Sequence, residues 1–81
     1  MNLVLDIETD SKQTKIWLCY THNSETGEYI CHTKPDTLIP LINKAERLIG
    51  HNLIGFDAPV LNRLWGTKIG LKKVRDTLIM S

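Results

Sequence analysis

The sequence predicts an α/β chain, a mixed β-sheet in the order β-β-β-α-β-α-β with helices packed on it. Three observations carry that prediction. The chain opens on an apolar run, Leu3-Val4-Leu5-Asp6-Ile7, of the kind that fills a buried central strand. Two β-rich segments follow, separated by polar residues. Beyond them, helical spacing alternates with short apolar runs.

The elements follow in order. Lys15-Ile16-Trp17-Leu18-Cys19-Tyr20 reads as a second strand, and residues 28–33 as a third. Between them, residues 21–27 hold the turn formers Asn23, Ser24 and Gly27, so the two strands form a hairpin. Leu38, Leu41, Ile42 and Ala45 recur at i, i+3, i+4 and i+7, one face of a helix. Thr37 is the expected N-cap, which puts Pro40 at N3, where its missing N–H costs nothing. Residues 47–50 form a fourth strand and His51 to Gly55 a turn. A second helix starts near Asp57, with Pro59 in its first turn and Val60, Leu61 and Leu64 facing inward. Gly66 suits the position just past its end. Residues 72–75 read as a fifth strand and Asp76 to Ser81 as the opening turn of a third helix, so the fold reads as cut at its C-terminus.

Composition narrows the class. Eighty-one residues allow one domain. A hydrophobic content of 42% with 23% charged residues excludes a disordered or collagen-like chain. No apolar run approaches the ~18 residues of a membrane span, and the N-terminus lacks the basic stretch of a secretory signal. Ten basic against nine acidic residues leave a net charge of +1, so nucleic-acid contact has to be local. Two cysteines make no disulfide framework, and a reduced, cytoplasmic setting is the expectation.

Two segments can carry chemistry. In a strand, residues two apart share a face, so Asp6 and Glu8 present two carboxylates side by side. Such a pair repels unless a cation lies between, and hard oxygen donors suit Mg²⁺ or Mn²⁺. Chance yields D-x-E about once per 250 positions, so the pair gains weight only from the second segment, His51-Asn52-Leu53-Ile54-Gly55-Phe56-Asp57. That segment follows a strand and opens a helix, the place where parallel sheets hold ligands. Two readings stand for Asp57, a ligand and a helix N-cap. Asn52 likewise reads as a site residue or a turn residue, and His51 as a solvated loop histidine. Asp6, Glu8 and Asp57 together would supply the carboxylate cluster of two-metal phosphoryl chemistry.

Asp6-Ile7-Glu8-Thr9 resembles the D-x-E-T motif of DEDD-type 3′–5′ exonucleases, and Asn52-x3-Phe56-Asp57 resembles their N-x3-[FY]-D motif. The order and spacing are most similar to the proofreading domain at the N-terminus of family A DNA polymerases of short-tailed bacteriophages. Asp76-Thr77-Leu78 resembles a D-T-[LM] helix start in that family. The resemblance implies a ribonuclease H-like sheet, with residues 1–81 as the N-terminal part of one exonuclease domain. It implies Asp6, Glu8 and Asp57 as catalytic carboxylates holding two Mg²⁺ or Mn²⁺ ions. It also implies Thr9, Asn52 and Phe56 around the terminal nucleotide of a single-stranded DNA 3′ end. Asp76 itself reads as the cap of the helix that starts there rather than as a ligand. The implied partners are that DNA end and the remainder of a DNA polymerase or a complementing chain, in a host-cell cytoplasm if the gene is a phage's. The third family motif, Y-x3-D or H-x4-D, does not follow Asp57. A catalytically incomplete binding module and one half of a split nuclease are therefore the alternatives.

The remaining features read as structural. Cys31 and His32 are adjacent on a strand and point apart, which disfavours a zinc site with Cys19 and His22 and leaves both thiols as buried core groups. Lys68, Lys72, Lys73 and Arg75 read as a solvated face, with phosphate contact as the alternative. Trp17 and Trp65 are assigned to the core. One sheet face is expected to expose apolar surface.

Overall fold

The computed structural model describes residues 1–77. Its strands are β1 (Asn2–Thr9), β2 (Ile16–Asn23), β3 (Tyr29–His32), β4 (Arg47–Gly50) and β5 (Val74–Asp76). Helix α1 (Pro35–Lys44) links β3 to β4, and α2 (Ala58–Leu64) lies between β4 and β5. The strands form one sheet in the order β3-β2-β1-β4-β5. β1, β2 and β3 run antiparallel in sequence, while β4 and β5 add in parallel on the other side of β1. These are the order and directions expected of a ribonuclease H-like mixed sheet. Among the described residues no helix is long and apolar enough to cross a membrane.

Alternation along β1 sets the layers. Leu3, Leu5 and Ile7 are buried in one core with Leu38 and Ile42 of α1, Leu48 of β4 and Val60 and Leu61 of α2. Each such fully buried aliphatic side chain contributes about 1.5–3 kcal/mol. Val4, Asp6 and Glu8 point the other way. That face exposes Val4, Tyr20 and Tyr29, as the sequence predicts for one side of the sheet. His22 and Tyr29, opposite each other in the β2–β3 register, stack there with centroids 4.4 Å apart.

Several expectations need correction. Trp17 is 57% exposed rather than in the core. Thr9 pairs with Ile16 and Glu8 with Leu18, so Trp17 is the extra residue of a bulge. The bulge breaks the alternation, burying Ile16 and turning Trp17 out. Helix α1 starts at Pro35, not after Thr37, with Lys34 at the N-cap. Pro35 presets the backbone dihedral of the first turn, while the Thr37 hydroxyl bonds His32 Nδ1 at 2.7 Å instead of capping. Pro40 then lies inside the helix on its exposed side, where water can satisfy the carbonyl left without a donor.

Other differences follow from tertiary hydrogen bonds. β2 continues to Asn23 where a loop from residue 21 is predicted. Thr21 is buried and its hydroxyl meets His32 Nε2 at 2.9 Å. His32 thus bridges β2 and α1 through two threonines, and burial pushes its pKa below the ordinary imidazole value. Cys19 is buried but Cys31 is exposed, because odd and even positions of β3 face opposite sides. β5 begins at Val74, after a 3₁₀ turn at Leu71–Lys73. Beyond Thr77, the predicted third helix lies outside the described residues. Gly66, at φ +70°, ends α2 as predicted, and Trp65 packs against the core. Lys68 and Lys72 are exposed, whereas Lys73 Nζ donates to the Ile42 carbonyl near the end of α1 at 2.9 Å.

Candidate functional site

The site grows out of unequal strand lengths. β4 pairs with β1 only at Asn2, Leu3 and Val4, so the rest of β1 has no strand beside it on that edge. Gly50 is where β4 turns away. A Cβ there would lie 2.9 Å from the Leu5 carbonyl oxygen, inside contact distance, so the close approach requires glycine. The chain then passes through His51 and Asn52, and Asn52 adopts the left-handed conformation at φ 59° and ψ 34°.

From there a single π-helical turn, Leu53–Asp57, leads into α2. The Asn52 carbonyl accepts from the amides of Phe56 at 2.9 Å and Asp57 at 3.4 Å. The wider turn inserts one residue relative to an α-helix. Leu53 and Asp57 both point inward as a result.

Asp57 occupies the N-cap position of α2 yet makes no side-chain cap bond. The capping reading of this residue is therefore wrong. Its carboxylate instead accepts the amide proton of Ile7, on the part of β1 that β4 leaves uncovered. The residue is 4% exposed, and among the described residues its Oδ2 has no hydrogen-bond partner. Burial foremost, then the nearby charge of Asp6, pushes its pKa up to about 7; Asp76 adds to the rise and the Ile7 amide opposes it.

The other predicted residues fall around this carboxylate. Asp6 is exposed on β1 opposite Tyr20 and within electrostatic reach of Asp57. Glu8 is exposed on the same strand face as Asp6, opposite Leu18. Thr9 is half-buried, with its hydroxyl donating to the Asp10 carbonyl at 3.0 Å. Asn52 and Phe56 belong to the turn that carries Asp57. Phe56 is half-buried and packs against the core.

The structure thus brings Asp6 and Asp57 together and leaves Glu8 apart from Asp57. Among the described residues no three Asp, Glu, His or Cys side chains are close enough to form a metal-holding group. In kind, the donors fit a divalent cation. A buried carboxylate oxygen without a partner, with the charge of a second carboxylate acting on it, is a hard oxygen donor of the kind such a cation takes.

Two features escape the sequence reading. Asp76 ends β5 and is buried, and its carboxylate accepts the amides of Asn52 and Ile54, each at 2.8 Å. It therefore caps the turn before α2, 22 and 24 residues back in the chain, a role no local spacing reveals. The second is a shallow depression of about 230 Å³ on the open sheet face, between Val4, Asp6, Tyr20, His22 and Tyr29. Strand alternation marks these residues as one face once the pairing register is known.

No protein-family model matches the chain, and no curated protein matches it. The fold does match a solved structure, the family B DNA polymerase from the hyperthermophilic archaeon Pyrobaculum calidifontis. The match has a TM-score of 0.62 at 16% identity and covers 82% of this chain. The chain spans 11% of that polymerase's length. At this identity the likeness is one of fold.

Proposed function

We propose that this chain forms the front part of a divalent-metal-dependent 3′–5′ exonuclease domain associated with a DNA polymerase. The observation that carries the reading is Asp57, a buried carboxylate with an unpartnered oxygen, aimed at β1 beside Asp6. The fold likeness to a segment of a DNA polymerase supports it. The finer assignment, to proofreading domains of family A polymerases of short-tailed bacteriophages, rests on the D-x-E-T and N-x3-[FY]-D motifs.

In this reading Asp6, Glu8 and Asp57 would hold Mg²⁺ or Mn²⁺, which would supply an activated water and offset charge on the phosphodiester. Ile7 anchors Asp57 through its amide, so the carboxylate is held ready before any cation arrives. Thr9, Asn52 and Phe56 surround the 3′-terminal nucleotide of single-stranded DNA. The product is a nucleoside monophosphate.

Among the described residues no three metal-ligating side chains close into one group, which favours a second reading, an incomplete module or one half of a split nuclease. One experiment separates them. The chain is incubated with 5′-labelled single-stranded DNA and Mn²⁺ or Mg²⁺, and Mn²⁺ binding is titrated in parallel. A metal-dependent ladder that disappears in Asp6→Ala supports the nuclease reading. Mn²⁺ binding lost in Asp57→Asn, without hydrolysis, supports the incomplete module. Neither hydrolysis nor Mn²⁺ binding overturns both.

A further inference from the structure

We propose that Asp76 is the positioning residue of this site: its buried carboxylate takes the amide protons of Asn52 and Ile54 and so fixes the turn that aims Asp57 at β1. The inference rests on the reading of Asp57 as a cation ligand.

The hydrogen bonds form a continuous path. Asp76 lies opposite Gly50 in the parallel β4–β5 register, and the Thr77 amide donates to the Gly50 carbonyl at 2.9 Å. The end of β5 is thereby clamped to the residue where β4 turns away. From there the Asp76 carboxylate reaches forward to the next two inward-facing amides, at 2.8 Å each. Both bonds are charge-assisted, about twice as strong as neutral ones. Asn52, held by its amide, uses its carbonyl to accept from Phe56 and Asp57. Asp57 then meets the Ile7 amide. Hydrogen bonds thus lead from Asp76 into the turn, and the turn carries Asp57 to the side of β1.

The local conformation explains why a clamp is needed. Asn52 is in the left-handed region, which asparagine tolerates better than other non-glycine residues but which is uncommon outside turns. The π-helical turn is rare and persists only where its surroundings enforce it. The Asp76 carboxylate supplies that enforcement from a strand rather than from the turn itself. With an amide on each of its oxygens, its role in this proposal is to orient Asp57.

A purely structural cap and a positioning residue make different predictions. Asp76→Asn keeps the size and one acceptor oxygen; Asp76→Glu keeps the charge on a longer arm. Amide hydrogen exchange is measured across residues 3–7 and 52–58, and Mn²⁺ affinity is titrated where each variant is fully folded. The expected result is at least tenfold faster exchange at Phe56 and Asp57 with the amides of Leu3 and Leu5 unchanged, and at least tenfold weaker Mn²⁺ binding. Asp57→Asn is the control, losing Mn²⁺ without loosening the turn. Equal acceleration at all amides, or Mn²⁺ affinity within twofold of the parent despite a loosened turn, overturns the proposal. If the parent binds no Mn²⁺, the cation reading fails, and the exchange pattern alone decides whether Asp76 holds the turn. If Asp76→Asn does not fold, the same two readouts on Asp76→Glu decide it.

Discussion

Replacing Asp57 by asparagine should stabilise the metal-free chain at alkaline pH and not at acid pH. The folded protein raises this carboxyl from 3.8 to about 7, chiefly by burial and then by Asp6. The folded state therefore holds the proton more tightly than the unfolded state. Its contribution is fully present below about pH 4 and is lost as pH rises through about 7. A separation of about three pH units corresponds to roughly 4 kcal/mol. Solvent around the exposed Asp6 screens part of that, leaving about 2–3 kcal/mol. Asparagine keeps an acceptor for the Ile7 amide but places an unpartnered amide donor where Oδ2 lies, at a cost of about 1 kcal/mol.

The net expectation at pH 8 in chelator is a gain of about 1–2 kcal/mol for Asp57→Asn, or roughly 4–16 °C in Tm for a domain of this size. At pH 4.5 the variant should equal or fall below the parent. Thermal melts of both proteins from pH 4.5 to 8.5 in EDTA measure the difference, and contributions common to both, such as that of His32, cancel. Added Mn²⁺ should stabilise the parent at pH 8 and leave the variant unmoved. A stability difference that stays constant across this pH range would refute the reasoning, because a carboxyl that titrates normally cannot be the strained, unpartnered group described here.

Other perturbations probe the frame around the site. His32→Phe removes the link between Thr21 and Thr37 and should cost about 1–3 kcal/mol in urea unfolding. Because burial lowers the His32 pKa, its contribution is present above pH 6.5 and is lost as pH falls through the lowered folded value; the variant's acid transition should flatten accordingly. Gly50→Ala forces a Cβ to within 2.9 Å of the Leu5 carbonyl and should destabilise by about 1–3 kcal/mol, with altered chemical shifts at Leu5 and Leu53. In the folded protein a maleimide should modify Cys31 and spare Cys19, whose thiol is buried and pushed far up in pKa by that burial; equal labelling would show that the sheet face is not as described.

Much of the frame was legible because it depends on short-range patterning. The opening apolar run became the central strand, and the 3.6-residue spacing of Leu38, Ile42 and Ala45 became the buried face of α1. Gly66 ended α2 because helices commonly end on a left-handed residue, and glycine adopts that conformation at least cost. The misreadings share one cause. Trp17 was assigned to the core as an aromatic residue on a strand, but a bulge turns it outward, and Thr37 was assigned to a cap, but its hydroxyl bonds His32 of β3 instead. Asp57 reads as a cap from sequence, since nothing local reveals that it is buried against β1 beside Ile7.

By itself the sequence determined the order of strands and helices, the inward and outward faces of β1, and the acids available to a site, because these follow from side-chain periodicity and residue type. Only the tertiary structure decided which acids meet. β4 stops short of the end of β1, Gly50 lets the chain cross close to Leu5, and Asp76 arrives from a strand more than twenty residues away to hold the turn. Electrostatic coupling and amide capture act over a few ångströms of space, whatever the separation along the chain. That is why Asp57 acquires its burial, its unpartnered oxygen and its raised pKa only once the sheet has closed around it.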